Sequence, residues 1–120
     1  MAISWELERH RDLLLVRLIG ELDIHTADAV RNMLQEELEK GTTAHLLLNL
    51  KNMTFMDSSG LGVILGRYRH LQQTGGQLFI CHASPAIRRL LELSGVHKLA
   101  RMFETEEEAL QSIGVMSREK

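Results

Sequence analysis

The chain has 120 residues, 44% apolar and 25% charged, which suits one domain with an ordinary core and excludes disordered and fibrous classes. Net charge is −2 and aromatics make up 4%, a balance lacking the basic surface and stacking side chains typical of nucleic-acid binders. Arg67 and Arg69 around Tyr68, and the Arg88–Arg89 pair, are too sparse to change that reading.

A single cysteine, Cys81, excludes an internal disulfide framework. Residues 1–6 lack the basic patch and apolar run of a leader, and the longest aliphatic run, residues 13–16, is far short of the roughly 20 needed to cross a bilayer. The expectation is a cytoplasmic protein with no membrane contact, bound to no nucleic acid, cofactor or metal.

Ile3, Trp5 and Leu7 alternate with polar residues, the period of a half-buried strand. His10-Arg11-Asp12 reads as a turn without glycine, and residues 13–19 as a more deeply buried strand completing an antiparallel hairpin. Gly20-Glu21-Leu22-Asp23 is expected to leave the sheet. Thr26 then caps a helix with an inward stripe of Ala27, Val30, Leu34 and Leu38, stopped by Gly41.

Leu46-Leu47-Leu48 suits a central strand covered on both faces, with Lys51-Asn52 expected to break it. A second helix presents Leu61, Ile64, Leu65, Tyr68 and Leu71 and stops at Gly75-Gly76. Residues 77–81 read as a strand, and Ser84-Pro85 starts a helix bearing Ile87, Leu90 and Leu91. Residues 98–103 contain a short last strand, and Thr105 with Glu108 makes a capping box for a final helix ending at Gly114. Glu106 and Glu107 read as dipole-matched charges there. The fold class is α/β: one domain over residues 1–120, ordered across 3–114, with a largely parallel mixed sheet, an N-terminal hairpin and about four helices. Residues 115–120 are expected to fray.

Chemistry concentrates at Met56-Asp57-Ser58-Ser59-Gly60-Leu61-Gly62, where a strand meets a helix. The free N–H groups of such a junction welcome an anion or a capping side chain. A dinucleotide fingerprint fits poorly: the third glycine, Gly66, comes one residue late and no acidic residue ends the next strand. A nucleophile elbow fails because Met56 stands where the first glycine belongs. A phosphoacceptor serine needs only an exposed hydroxyl, because a partner kinase supplies the base. Residue types alone do not separate Ser58 from Ser59. Cys81-His82 lacks the further ligands of a zinc site and reads as ordinary strand sequence.

Residues 55–68, with Gly20-Glu21-Leu22-Asp23 and Leu48-Asn49-Leu50, closely resemble the anti-sigma factor antagonists of the STAS domain family. The likeness extends through Cys81, Ser84-Pro85-Ala86 and Leu93-Ser94-Gly95, and is strongest to the sporulation branch in spore-forming bacteria, which frees the first forespore sigma factor. The resemblance implies a STAS fold and a non-enzymatic role. It implies binding to an anti-sigma factor that is also a serine kinase, inactivation by phosphorylation on Ser58, and restoration by a serine phosphatase.

The expected partner-binding residues are Glu21, Asp23, Asp57, Ser58, Ser59, Gly60 and Leu61. Glu21 and Asp23 are either an acidic docking rim or solvated loop carboxylates. Asp57 either orients the hydroxyl or caps the helix, the N–H groups of Ser59 and Gly60 either cap or hold phosphate, and Leu61 is either a contact or core. The alternative function is a STAS-like domain that itself binds nucleotide at the Ser58–Gly60 helix start.

Overall fold

The alternating residues of β1 (Ile3–His10) turn Ile3 and Trp5 onto the main core and leave Ser4, Glu6 and Glu8 exposed. β1 pairs antiparallel with β2 (Leu13–Leu22), and Arg11 takes the positive φ of 57° that a glycine would otherwise supply in the two-residue turn. The computed structural model describes residues 2–40 and 44–114. The expected helix stop at Gly41 and the expected fraying of 115–120 lie outside these described residues.

From β2 the chain alternates: α1 (Ala27–Leu38), β3 (His45–Met56), α2 (Ser58–Gln73), β4 (Leu78–Cys81), α3 (Pro85–Ser94), a short 3-10 turn (Val96–Lys98), β5 (Arg101–Phe103) and α4 (Glu106–Ile113). Strand order is β1-β2-β3-β4-β5, parallel from β2 onward. Because the strands advance in one direction and crossovers share one hand, α1, α2 and α3 all fall on one face. That face holds the larger core, including Leu14, Val16, Leu46, Leu48, Val30, Ile64 and Leu91. α4 covers the other face, closing Ala109 and Leu110 over Leu13, Leu15, Leu47, Phe79 and Cys81. Leu46 to Leu48 are buried from both sides, as a central strand requires.

Two expectations near the β3–α2 end of the sheet need correction. Lys51-Asn52 does not break the strand, because β3 runs through to Met56. Its register against β2 slips twice: Arg17 pairs with Asn49 but Ile19 with Asn52, and Gly20 pairs with Met53 but Glu21 with Phe55. Each slip gives β3 one extra residue, as in a β-bulge. Leu50, Met53 and Met56, three apart, therefore all reach the same core. The Asn49 side chain supports the first slip by accepting the Lys51 N–H at 2.9 Å.

Likewise, residues 20–22 stay in the sheet. Gly20 has φ +115°, and a Cβ there would lie 2.3 Å from the Ala2 carbonyl oxygen, which accepts the Glu21 N–H at 3.1 Å. Glycine is needed for that approach. Extending β2 this far carries Glu21 and Leu22 up beside Phe55 and Met56.

Candidate functional site

β3 ends at Met56, and Asp57 turns the chain into α2 with extended backbone angles of −120° and −166°. Its Oδ1 accepts the N–H of Ser59 at 2.8 Å and of Gly60 at 3.4 Å, while its carbonyl accepts the first helical N–H, from Leu61, at 3.1 Å. Asp57 is thus the N-cap of α2, and the Ser59 and Gly60 amides already hold a carboxylate. Its own N–H donates to the Leu22 carbonyl at 3.3 Å, tying the helix start to β2.

Ser58 is the first residue of α2 and is exposed, with no hydrogen bond from its hydroxyl to the described residues. Ser59 is half-buried. Gly60 is buried, and a Cβ there would lie 2.7 Å from Met56 Cγ and 2.9 Å from Leu22 Cγ. The close approach this glycine permits is made by the chain's own side chains. Leu61 is half-buried and packs on the main core.

The acidic pair divides. Asp23 is only 6% exposed, with its Oδ1 accepting the N–H of His25 at 2.9 Å and of Thr26 at 3.1 Å. Burial pushes this carboxyl up, but the His25 and Thr26 N–H groups and the Thr26 hydroxyl more than reverse it, leaving it below its ordinary range. Thr26, equally buried, accepts the Asp23 N–H at 2.9 Å and donates its hydroxyl to the Glu21 carbonyl at 2.8 Å. Thr26 occupies the N-cap position of α1 without a side-chain cap, because its hydroxyl is spent on this loop. Glu21 is half-buried, and its Oε1 is buried without a hydrogen bond among the described residues. Neither residue is a solvated loop carboxylate.

Sequence reasoning assigned nothing to Ile24 and placed Phe55 only within the matching run. They are 72% and 47% exposed at this same end of the sheet. The signal for Ile24 was available: one branched aliphatic residue inside a polar Asp23-Ile24-His25-Thr26 loop. A cleft of about 270 Å³ lined by Tyr68, Gln72, Leu78, Leu99 and Arg101 lies at the opposite end, where β4 and β5 begin.

A second polar cluster lies under α4. Arg17 donates two 2.8 Å hydrogen bonds to Glu106, which also accepts the Asn49 amide at 2.7 Å. The Glu106 N–H donates to His82 Nε2 at 3.2 Å. The Arg17 guanidinium holds the Glu106 carboxyl below its usual range, and Glu106 in turn raises Arg17. Glu106 therefore does more than match the helix dipole. Thr105 accepts the Glu108 N–H as expected of a capping box, but the reciprocal bond from Glu108 falls on the Glu104 N–H. Cys81 is fully buried, and burial pushes its thiol up to about 12.

Comparison with known proteins gives this geometry a family. Residues 4–109 match the STAS domain. An anti-sigma F factor antagonist from Paenibacillus polymyxa is 46% identical over 117 residues, covering 98% of this chain and all of the relative. Another from Lysinibacillus sphaericus is 35% identical, covering 86% of this chain and 87% of its own. The anti-sigma factor antagonist SpoIIAA in its unphosphorylated form superposes with a TM-score of 0.75 at 31% identity, over 92% of this chain and 97% of its own. The phosphorylated form of the Bacillus cell fate determinant SpoIIAA gives 0.74 at 32%, over 92% and 99%. Among the described residues no helix is long and apolar enough to cross a membrane. An exposed serine on a capped helix, in a five-stranded sheet carrying an N-terminal hairpin, thus accompanies a match over most of the length: the chain belongs to the STAS domain family.

Proposed function

We propose that this chain is an anti-sigma factor antagonist: its unmodified form binds an anti-sigma factor that is also a serine kinase, displaces the sigma factor, and is switched off by phosphorylation of Ser58. A serine phosphatase restores it. The observation that carries the reading is Ser58 itself, an exposed hydroxyl with no hydrogen bond to the described residues, on a helix start whose backbone is fixed on either side. The relatives' names supply the partner class.

In the proposed step, Ser58 Oγ attacks the γ-phosphorus of ATP held by the kinase. The hydroxyl proton passes to the kinase's base and ADP leaves. This chain contributes a positioned nucleophile and no catalytic group. The product adds about −1.5 to −2 charges at neutral pH. It stands beside the Asp57 carboxylate, which already occupies the Ser59 and Gly60 amides. A partner surface suited to the neutral hydroxyl then meets added negative charge. ATP-dependent phosphorylation and a free thiol at Cys81 fit work in the cytoplasm. Direct nucleotide binding draws no support from Gly60, whose open side is filled by Leu22 and Met56.

Incubation with the cognate anti-sigma kinase and ATP should add one phosphate, located at Ser58 by peptide mass spectrometry. Ser58→Ala should bind the kinase and resist modification. Phosphate on Ser59 instead, or loss of binding by a folded Ser58→Ala, would defeat the proposal. Calorimetry with ATP alone should show no stoichiometric heat.

A further inference from the structure

Ile24 is 72% exposed, yet the residues around it are among the most tightly held polar groups in the molecule. Asp23 and Thr26 are each 6% exposed and are joined by bonds of 2.9 Å from the Asp23 N–H to Thr26 Oγ1 and 3.1 Å from the Thr26 N–H to Asp23 Oδ1. The His25 N–H also donates to Asp23, the Thr26 hydroxyl to the Glu21 carbonyl, and the Ala27 N–H to the Asp23 carbonyl at 2.9 Å. The loop is therefore closed on its inner side and offers one aliphatic side chain outward. Leu22, which precedes it, accepts the Asp57 N–H, so the loop and the Ser58 helix start share one frame.

Exposure alone means little, since single apolar side chains are common on surfaces. Leu93 is 73% exposed on the last turn of α3. That helix starts at the switch end and runs back antiparallel to the strands, so Leu93 lies at the far end. Ile24 differs in being preorganised on a loop that the Asp57 N–H to Leu22 carbonyl bond ties to the Ser58 helix start. A β-branched side chain on a fixed loop has little freedom left to lose on docking. An enzyme that phosphorylates Ser58 must also cover this end of the sheet.

Resting on the function proposed above, we infer that Ile24 is an apolar anchor seated in a nonpolar pocket of the anti-sigma factor. Asp23 and Thr26 act as positioning residues that hold it in register with Ser58. Asp23 thus serves recognition from inside the loop. Phe55, 47% exposed, is a second apolar side chain at this end of the sheet.

The test measures affinity for the purified anti-sigma factor and the concentration dependence of Ser58 phosphorylation for Ile24→Ala, Ile24→Asp and Leu93→Ala. Ile24→Ala should weaken binding about 30-fold, the effect of a central anchor. The half-saturating concentration should rise in parallel, with the maximal phosphorylation rate kept. Leu93→Ala should match wild type. Binding by both Ile24 variants within about threefold of wild type overturns the anchor.

Asp23→Ala should weaken binding in the wild-type background and add little on top of Ile24→Ala, because the two act through one contact. Fully additive losses would overturn the positioning role. A change in the protein's own sedimentation caused by Ile24→Asp, with anti-sigma binding intact, would assign the residue to a second copy and overturn the inference. If the wild type itself bound no anti-sigma factor, the function would fall and the anchor with it.

Discussion

The N–H of Asp57 donates to the carbonyl of Leu22, 3.3 Å away, across the ends of two strands that carry the whole candidate site. On one side of that bond lies the Asp23–Thr26 loop, and on the other the first turn of α2. The Leu22 side chain makes the same connection through packing, because it and Met56 fill the space against Gly60. Ser58, between Asp57 and Ser59, is left out of these contacts. The backbone beneath its hydroxyl is therefore fixed while the hydroxyl stays free.

Gly60 and Gly62 should respond oppositely to alanine. At Gly62 a Cβ meets nothing within 4 Å, so Gly62→Ala should gain up to about 1 kcal/mol of helix propensity. At Gly60 the same gain opposes overpacking against buried Leu22 and Met56, which costs about 1–3 kcal/mol. Overpacking wins, for a net loss of about 1 kcal/mol. Thermal melts of the two variants, shifting in opposite directions, check the pair.

Asp57 caps α2 through Oδ1, so Asp57→Ala should cost about 1 kcal/mol, while Asp57→Asn should stay near wild type because asparagine caps as well. The two variants separate cap from charge. If the carboxylate only holds the helix start, Asp57→Asn is phosphorylated on Ser58 at the wild-type rate. A folded Asp57→Asn that is phosphorylated much more slowly would show that the charge itself serves the reaction.

How far the site could be read from residues differs from place to place. For Asp57 a cap was one of the two roles legible from residues, because cap chemistry is local, set by one side chain and the next three amides. The burial of Asp23 was not legible, because it depends on Thr26 folding back and on β2 running on to Leu22, three residues past the expected strand end at Ile19. The same long pairing hid the continuity of β3: Lys51-Asn52 reads as a break, yet bulges absorb it and keep Met53 and Met56 in the core. Arg17 and Glu106 lie 89 positions apart, so no local pattern could announce their pair. Elements set by short-range periodicity were readable, whereas contacts made across the sheet were not.

Cys81 is fully buried and its thiol is pushed up to about 12, so alkylation should proceed only through unfolding. Iodoacetamide labelling at pH 8 should be very slow in buffer and rise with guanidinium in parallel with the loss of circular dichroism. The linkage has a sign as well. The unfolded thiol ionises near 8.5 and the folded one does not. Its stabilising contribution is therefore complete below about pH 8.5 and declines as pH rises from there toward 12. Fast labelling of the native protein would mean that β4 opens locally.

Glu106 offers the matching test at acid pH. Arg17 holds its folded value below the unfolded one of about 4.3, so the ionised form is favoured in the native state. The stabilisation is complete above that value and is lost as pH falls through the lowered one. Both side chains are less than a third exposed, which places the effect of removing one partner between a surface pair and a buried one, at about 1–2 kcal/mol. Glu106→Gln should therefore melt several degrees below wild type at pH 7, at about 4 °C per kcal/mol. The gap should persist to about pH 5 and narrow as pH falls below about 4.3 toward the lowered folded value. Because the substituted amide keeps an acceptor for Arg17 and Asn49, a gap that did not narrow with acid would assign the loss to packing in place of charge.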